Sequence, residues 1–136
     1  TKNLANKFNL GQDSGGVMLA GGSLSNIQAI ALARNRILGS FEKGLTGLKR
    51  KPYIFASEES HTSIQKAAMV LGLGTSSIIS IQTNADGSMR ISNLDKLIRQ
   101  KIKDKGFPFC IVATAGTTIT GSVDDLNEVS KIANKF

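Results

Sequence analysis

Phe109-Cys110-Ile111-Val112-Ala113-Thr114-Ala115-Gly116-Thr117-Thr118 is the stretch on which the fold class turns. It carries no charge and is rich in β-branched and aromatic side chains up to a glycine and two hydroxyls, the pattern of a buried strand that stops at a polar turn. Beyond the turn, Leu126, Val129, Ile132 and Ala133 recur at helical spacing. Asp124 or Asp125 stands where a helix N-cap would stand. The unit therefore reads strand, polar turn, helix.

The same unit recurs upstream. Tyr53-Ile54-Phe55-Ala56 follows Pro52 and runs into Ser57-Glu58-Glu59-Ser60-His61, with a helix expected over Thr62 to Leu71 that Gly72 and Gly74 stop. Ser77-Ile78-Ile79-Ser80-Ile81 precedes the turn Asn84-Ala85-Asp86-Gly87, and Ser92 with Asp95 resembles a capping box opening a helix over Asn93 to Lys103. Val17-Met18-Leu19-Ala20 leads into Gly21-Gly22-Ser23 and a helix from Ser25 to about Leu38. Residues 1–16 form a polar leading segment with at most a turn of helix around Leu4 to Phe8, and a little helix is expected around Phe41. Four apolar strands alternating with helices imply an α/β fold, a mainly parallel sheet with helices on both faces. In such sheets ligands collect beyond the carboxyl ends of the strands, so the turns at Gly21-Gly22-Ser23, Ser57 to His61 and Gly116-Thr117-Thr118 are expected at one edge.

Composition narrows the function classes. The chain has 136 residues, 40% hydrophobic and 20% charged, ordinary for one globular domain. No apolar run is long enough to cross a bilayer, the first residues lack a signal-peptide core, and a cytoplasmic setting without a membrane partner is expected. The net charge of +7 divides between Arg34 to Lys51 and Lys96 to Lys105 and reads as solvated faces. With one Tyr and no Trp for base stacking, no nucleic-acid partner is expected. One Cys, one His and no clustered carboxylates beyond Asp124-Asp125 give no metal spacing and no disulfide. Cys110 reads as packing.

Gly21-Gly22-Ser23 before a helix reads either as a simple connection or as a cradle for a phosphate, held by glycine backbone and first-turn N–H groups. With His61 on the second turn and hydroxyls on the fourth, a flat phosphorylated cofactor fits better than a hydrolytic triad. These stretches resemble those of a known family. Gly16 to Asn26, with Ala29 and Ala33-Arg34, is similar to the GGS-x-x-N…A-x-x-x-AR stretch of the group II pyridoxal-phosphate-dependent amino-acid decarboxylases, which include the aromatic-amino-acid, glutamate and diaminobutyrate enzymes. Ser57 to Ala68 with Leu71-Gly72 resembles SE-x-x-H-x-S-x-x-KAA…LG, and Ala113 to Asp124 resembles ATAGTT-x-x-G-x-x-D. The three motifs stand in family order across nearly the whole chain.

The resemblance implies a type I, aspartate aminotransferase-like fold, pyridoxal 5'-phosphate as cofactor, an amino-acid substrate that loses carbon dioxide, and a homodimer. It implies that Gly22 and Ser23 grip the cofactor phosphate and that His61 stacks on the ring and assists the reaction. Thr118, with Thr117 as the neighbouring candidate, matches the threonine near the ring's polar substituents, and Asp124 matches an aspartate of that loop. For Asp124 the bland alternative is an N-cap; for Asn26 it is a first-turn residue that satisfies local backbone. The family's His-x-Asp-Ala stretch, whose aspartate meets the pyridine nitrogen, and its lysine that bonds the cofactor are not among these residues. Residues 1–136 are therefore expected to be part of the large, cofactor-binding domain, inactive alone. Two other readings fit the residues: another type I enzyme, such as an aminotransferase or desulfurase, and a non-catalytic phosphate-binding α/β module.

Overall fold

The structure, a computed structural model, describes residues 2–136; Thr1 of the leading segment lies outside them. Three strands form one parallel sheet in the order β2-β1-β3: β1 Pro52–Ser57, β2 Ile78–Ile81 and β3 Phe107–Val112. The helices are α1 Lys2–Lys7, α2 Gly22–Leu38, α3 Ser40–Lys43, α4 Ser63–Val70, α5 Ile91–Lys103 and α6 Leu126–Lys135, with a 3-10 turn at Thr75–Ser77. The short helices near Leu4 and Phe41 stand where the sequence puts them.

Alternation along β1 sends side chains to opposite faces, and each face acquires its own core. Ile54 and Ala56 pack with Ile30 of α2 and Ile64, Ala67 and Ala68 of α4. Phe55 packs on the other side with Ile81 of β2, with Met89 just before α5, with Leu94 and Ile98 of α5, and with Val129 and Ile132 of α6. The connection from β1 to β2 passes through α4 on one face, and that from β2 back across to β3 passes through α5 on the other. Reversing direction along the sheet reverses the face, as right-handed crossovers require. Since α4 follows β1 on one face and α6 follows β3 on the other, the carboxyl ends of β1 and β3 flank a topological switch point.

Three local expectations are corrected. Val17-Met18-Leu19-Ala20 is not a strand: its backbone is irregular, Gly21 N–H bonds back to Leu19 C=O, and Val17 and Met18 are 62% and 74% exposed. The segment pairs with neither outer edge of the sheet, and a short apolar run does not make a strand without a partner. The Ser92–Asp95 capping box does not form; α5 starts at Ile91 behind an extended Arg90 with no side-chain cap. Asp95 is drawn instead to two cations, Arg99 and Lys135, each at 2.7 Å. Arg34 does not belong to a solvated face. It is half-buried and donates to the Leu71 carbonyl at the end of α4, where the helix dipole favours a cation.

Candidate functional site at the switch point

Between the ends of β1 and β3 lies a cleft of about 260 Å³, lined by Asn26, Ser60, His61 and Ile64 on one side and residues 112–116 on the other. Two of the three expected turns thus meet, and the third contributes through α2. Asn26 Nδ2 donates to Ser63 Oγ at 2.8 Å, and Ser63 is fully buried, so this bond pins the first turns of α2 to the start of α4. The local-backbone reading of Asn26 gives way to a contact between elements far apart in sequence.

His61 sits at the mouth of the cleft, exposed, immediately before α4. Its Nδ1 accepts the Ser63 N–H at 3.1 Å. A nitrogen that accepts cannot hold a proton, so the neutral ring carries its proton on Nε2.

Gly22 and Ser23 stand one helical turn before Asn26 and lie outside the cleft lining. Gly21 caps α2 with φ 99°, a conformation glycine adopts readily, and the first backbone bond of the helix runs from Ser25 N–H to Gly21 C=O. The N–H groups of Gly22, Ser23 and Leu24 precede that bond. No side chain caps this end and no acid lies in its first turn, so 17 residues of helix present an uncompensated positive pole. A Cβ at Gly21 or Gly22 would meet nothing within 4 Å, which leaves the approach open.

The loop after β3 divides the three remaining candidates. Thr117 is buried; its hydroxyl bonds Thr120 Oγ1 at 2.6 Å and accepts the Ser122 N–H. Thr118 is exposed. Asp124 is 3% exposed, and its two oxygens accept the N–H groups of Met89 and Thr114, each at 2.7 Å. It is not an N-cap; Asp125 holds that position, accepting from Asn127 and Glu128 N–H.

The pyridoxal-dependent decarboxylase conserved domain matches residues 2–136. The chain belongs to that family. Among its relatives, mouse acidic amino acid decarboxylase GADL1 is 38% identical over 91% of this chain and 22% of its own length. Drosophila melanogaster glutamate decarboxylase is 37% identical over 90% of this chain and 25% of its own. The chain therefore spans about a quarter of the curated relatives it matches. Among solved structures, the glutamate decarboxylase domain of a Vibrio parahaemolyticus diaminobutyrate-pyruvate transaminase and L-2,4-diaminobutyrate decarboxylase superposes with TM-score 0.90 at 35% identity, over 98% of this chain and 30% of that one. Mouse CSAD gives 0.89 at 33% identity, over 98% and 29%. The α/β class with its parallel sheet is thus the type I fold of these decarboxylases. Oryza sativa TDC, 27% identical with TM-score 0.87 over 99% of this chain and 29% of its own, was solved with PLP and tryptamine.

The residues of this chain fit such a cofactor. The bare N-terminus of α2 suits a phosphate dianion, and Ser60 Oγ, buried with no hydrogen-bond partner among the described residues, awaits one at the cleft. Ser60 and Ser63, and the Thr120 and Ser122 hydroxyls that engage Thr117, are not singled out by the sequence. Isolated hydroxyls in polar turns carry no spacing signal. No group of three or more metal-ligating side chains is found among the described residues.

Proposed function

We propose that the protein to which these residues belong uses pyridoxal 5'-phosphate to convert an L-amino acid to its amine and carbon dioxide, and that residues 2–136 supply part of the cofactor-binding large domain. The cleft at the switch point, with His61 at its mouth, carries this reading. When bound, the cofactor supplies an electron sink for the pair released as carbon dioxide leaves the α-carbon.

The residues present divide the remaining work. Gly22 and Ser23 hold the phosphate with backbone N–H groups, and the Ser23 hydroxyl adds a donor. His61 would face the cofactor ring; the Ser63 N–H on Nδ1 orients its imidazole, and Nε2 is the atom that would hold a proton at the cleft. Asn26 and Ser63 set the spacing between the phosphate grip and the imidazole. Thr118, whose neighbour Thr117 is engaged inside the loop, would be the threonine to meet the ring's polar substituent. Asp124 acts through the loop it fastens. The Schiff-base lysine and the pyridine-pairing aspartate lie outside these residues, so the 136 residues alone do not decarboxylate. The active protein is a cytoplasmic homodimer. Relatives at 36 to 38% identity bear the names of acidic amino acid, glutamate and L-aspartate decarboxylases, which makes glutamate and aspartate the first substrates to assay.

The test is carbon dioxide release by the full-length protein with the cofactor bound. His61→Ala lowers kcat a hundredfold or more while cofactor absorbance is largely retained. Near-wild-type turnover in that variant removes His61 from the reaction; no release from any L-amino acid by the wild type overturns the decarboxylase reading.

A further inference from the structure

We infer that the hairpin Asn84–Met89 is a positioning element for the loop 114–123, joined to it by Gly87 and Ser122, and that this joint sets the loop's geometry at the cofactor cleft. The inference rests on the proposed cofactor site for its consequence, but its geometry stands apart from that reading.

The hairpin is rigid by its own bonds. Thr83 and Met89 form an antiparallel bridge, Asn84 N–H donates to Ser88 C=O at 2.8 Å, and Asp86 Oδ1 accepts both the N–H and the hydroxyl of Ser88. The loop is closed by its own bridge between Ala115 and Val123, and Gly116 and Thr117 N–H both donate to Ser122 C=O. Two fastenings connect them. Asp124 takes Met89 N–H and Thr114 N–H on its two oxygens, and Ser122 Oγ donates to Asp86 C=O at 2.6 Å.

The second fastening fixes the direction of a hydroxyl relay. A carbonyl can only accept, so the Ser122 proton is committed to Asp86. Thr120 must then donate to Ser122 Oγ at 2.7 Å, and Thr117 to Thr120 Oγ1 at 2.6 Å. The Thr117 proton is therefore spent, and Thr118 is left as the threonine of the pair with a proton to give a ligand. Gly87 leaves the joint no slack. A Cβ there would lie 2.4 Å from Ser122 Oγ and 3.1 Å from its Cβ, and the backbone φ of +80° adds strain for any side chain.

The experiment uses the full-length protein stripped of cofactor and titrated with pyridoxal 5'-phosphate, alongside amide hydrogen exchange of residues 114–118. Ser122→Ala raises the cofactor Kd about fivefold, the scale of one lost hydrogen bond, and speeds exchange in the loop at least as much. Ser122→Thr keeps the hydroxyl and holds Kd within about twofold of wild type. Gly87→Ala matches or exceeds the Ser122→Ala effect, and the two combine less than additively because they break one joint. Asp95→Asn, which weakens two external ion pairs, lowers stability without moving Kd. If Gly87→Ala does not fold, Ser122→Ala decides alone. A folded Ser122→Ala with wild-type exchange in the loop overturns the joint, and so does wild-type Kd for the cofactor. Should the wild type bind no cofactor, the decarboxylase reading falls, and exchange alone decides the joint.

Discussion

Burial holds Cys110 in the packing role its sequence suggests and turns Asp124 into a clamp on backbone groups. Cys110 sits in β3 against the core shared by α2 and α4, and burial pushes its thiol up to about 11 from an ordinary 9.0. A thiol so poised is neutral and unreactive at physiological pH. The folded form resists ionisation, so between pH 9 and 11 the unfolded chain sheds a proton that the folded chain keeps. Stability therefore falls as pH rises through that window, by up to about 1.4 kcal/mol per pH unit. Urea unfolding at pH 8 and at pH 10.5 measures the fall, which is shallower in Cys110→Ala. Asp124 was legible as an important aspartate but not as a clamp. Its partners Met89 and Thr114 are backbone groups, which no side-chain pattern announces.

At the scale of elements, the two long-range helices differ in how their N-termini are treated. Asp125 satisfies two N–H groups of α6, the ordinary use of an acid at a helix start. The corresponding end of α2 is bare. A helix capped by glycine rather than by a hydroxyl or carboxylate forgoes about a few tenths of a kcal/mol, and its free N–H groups suit an anion that docks there. Ser23→Asp separates the two effects. The carboxylate complements the dipole and stabilises the cofactor-free protein by about 0.3 to 1 kcal/mol, while it repels the phosphate and weakens cofactor binding tenfold or more. Thermal unfolding and a cofactor titration of the same full-length variant read both signs; tighter binding would remove Ser23 from the phosphate grip. Helix periods were legible because apolar faces repeat, whereas α5 starts two residues before its expected place, behind an extended Arg90 with no side-chain cap.

For the molecule as a whole, the ends of the two basic clusters, Arg50-Lys51 and Lys101 to Lys105, meet at the end of the sheet opposite the cleft. Lys51 and Lys101 lie 5.6 and 5.1 Å from the Tyr53 ring, and Arg50 lies 5.2 Å from that of Phe107 while donating to the Lys105 and Gly106 carbonyls. Large apolar side chains remain exposed elsewhere: Val17, Met18, Phe41, Met69, Val70 and Ile119. That much apolar surface drives association. The 136-residue chain expressed alone is expected to self-associate at micromolar concentration in sedimentation velocity, despite its charge of +7. A sharp monomer peak would show that these side chains do not form a cohesive surface. No helix among the described residues is long and apolar enough to cross a membrane.

By itself the sequence determined the alternation of apolar strands and amphipathic helices, hence the parallel sheet with two cores, and the three motifs that mark the family. Those are local and periodic properties, written in residue order. Only the tertiary structure decided that Val17 to Ala20 forms no strand, because a strand needs a ladder partner and this run pairs with none of the three strands. It alone joined Asn26 to Ser63, spent the Thr117 hydroxyl inside its loop and set Gly87 against Ser122. Contacts of this kind depend on how crossovers fold back over the sheet, and separation along the chain does not encode them.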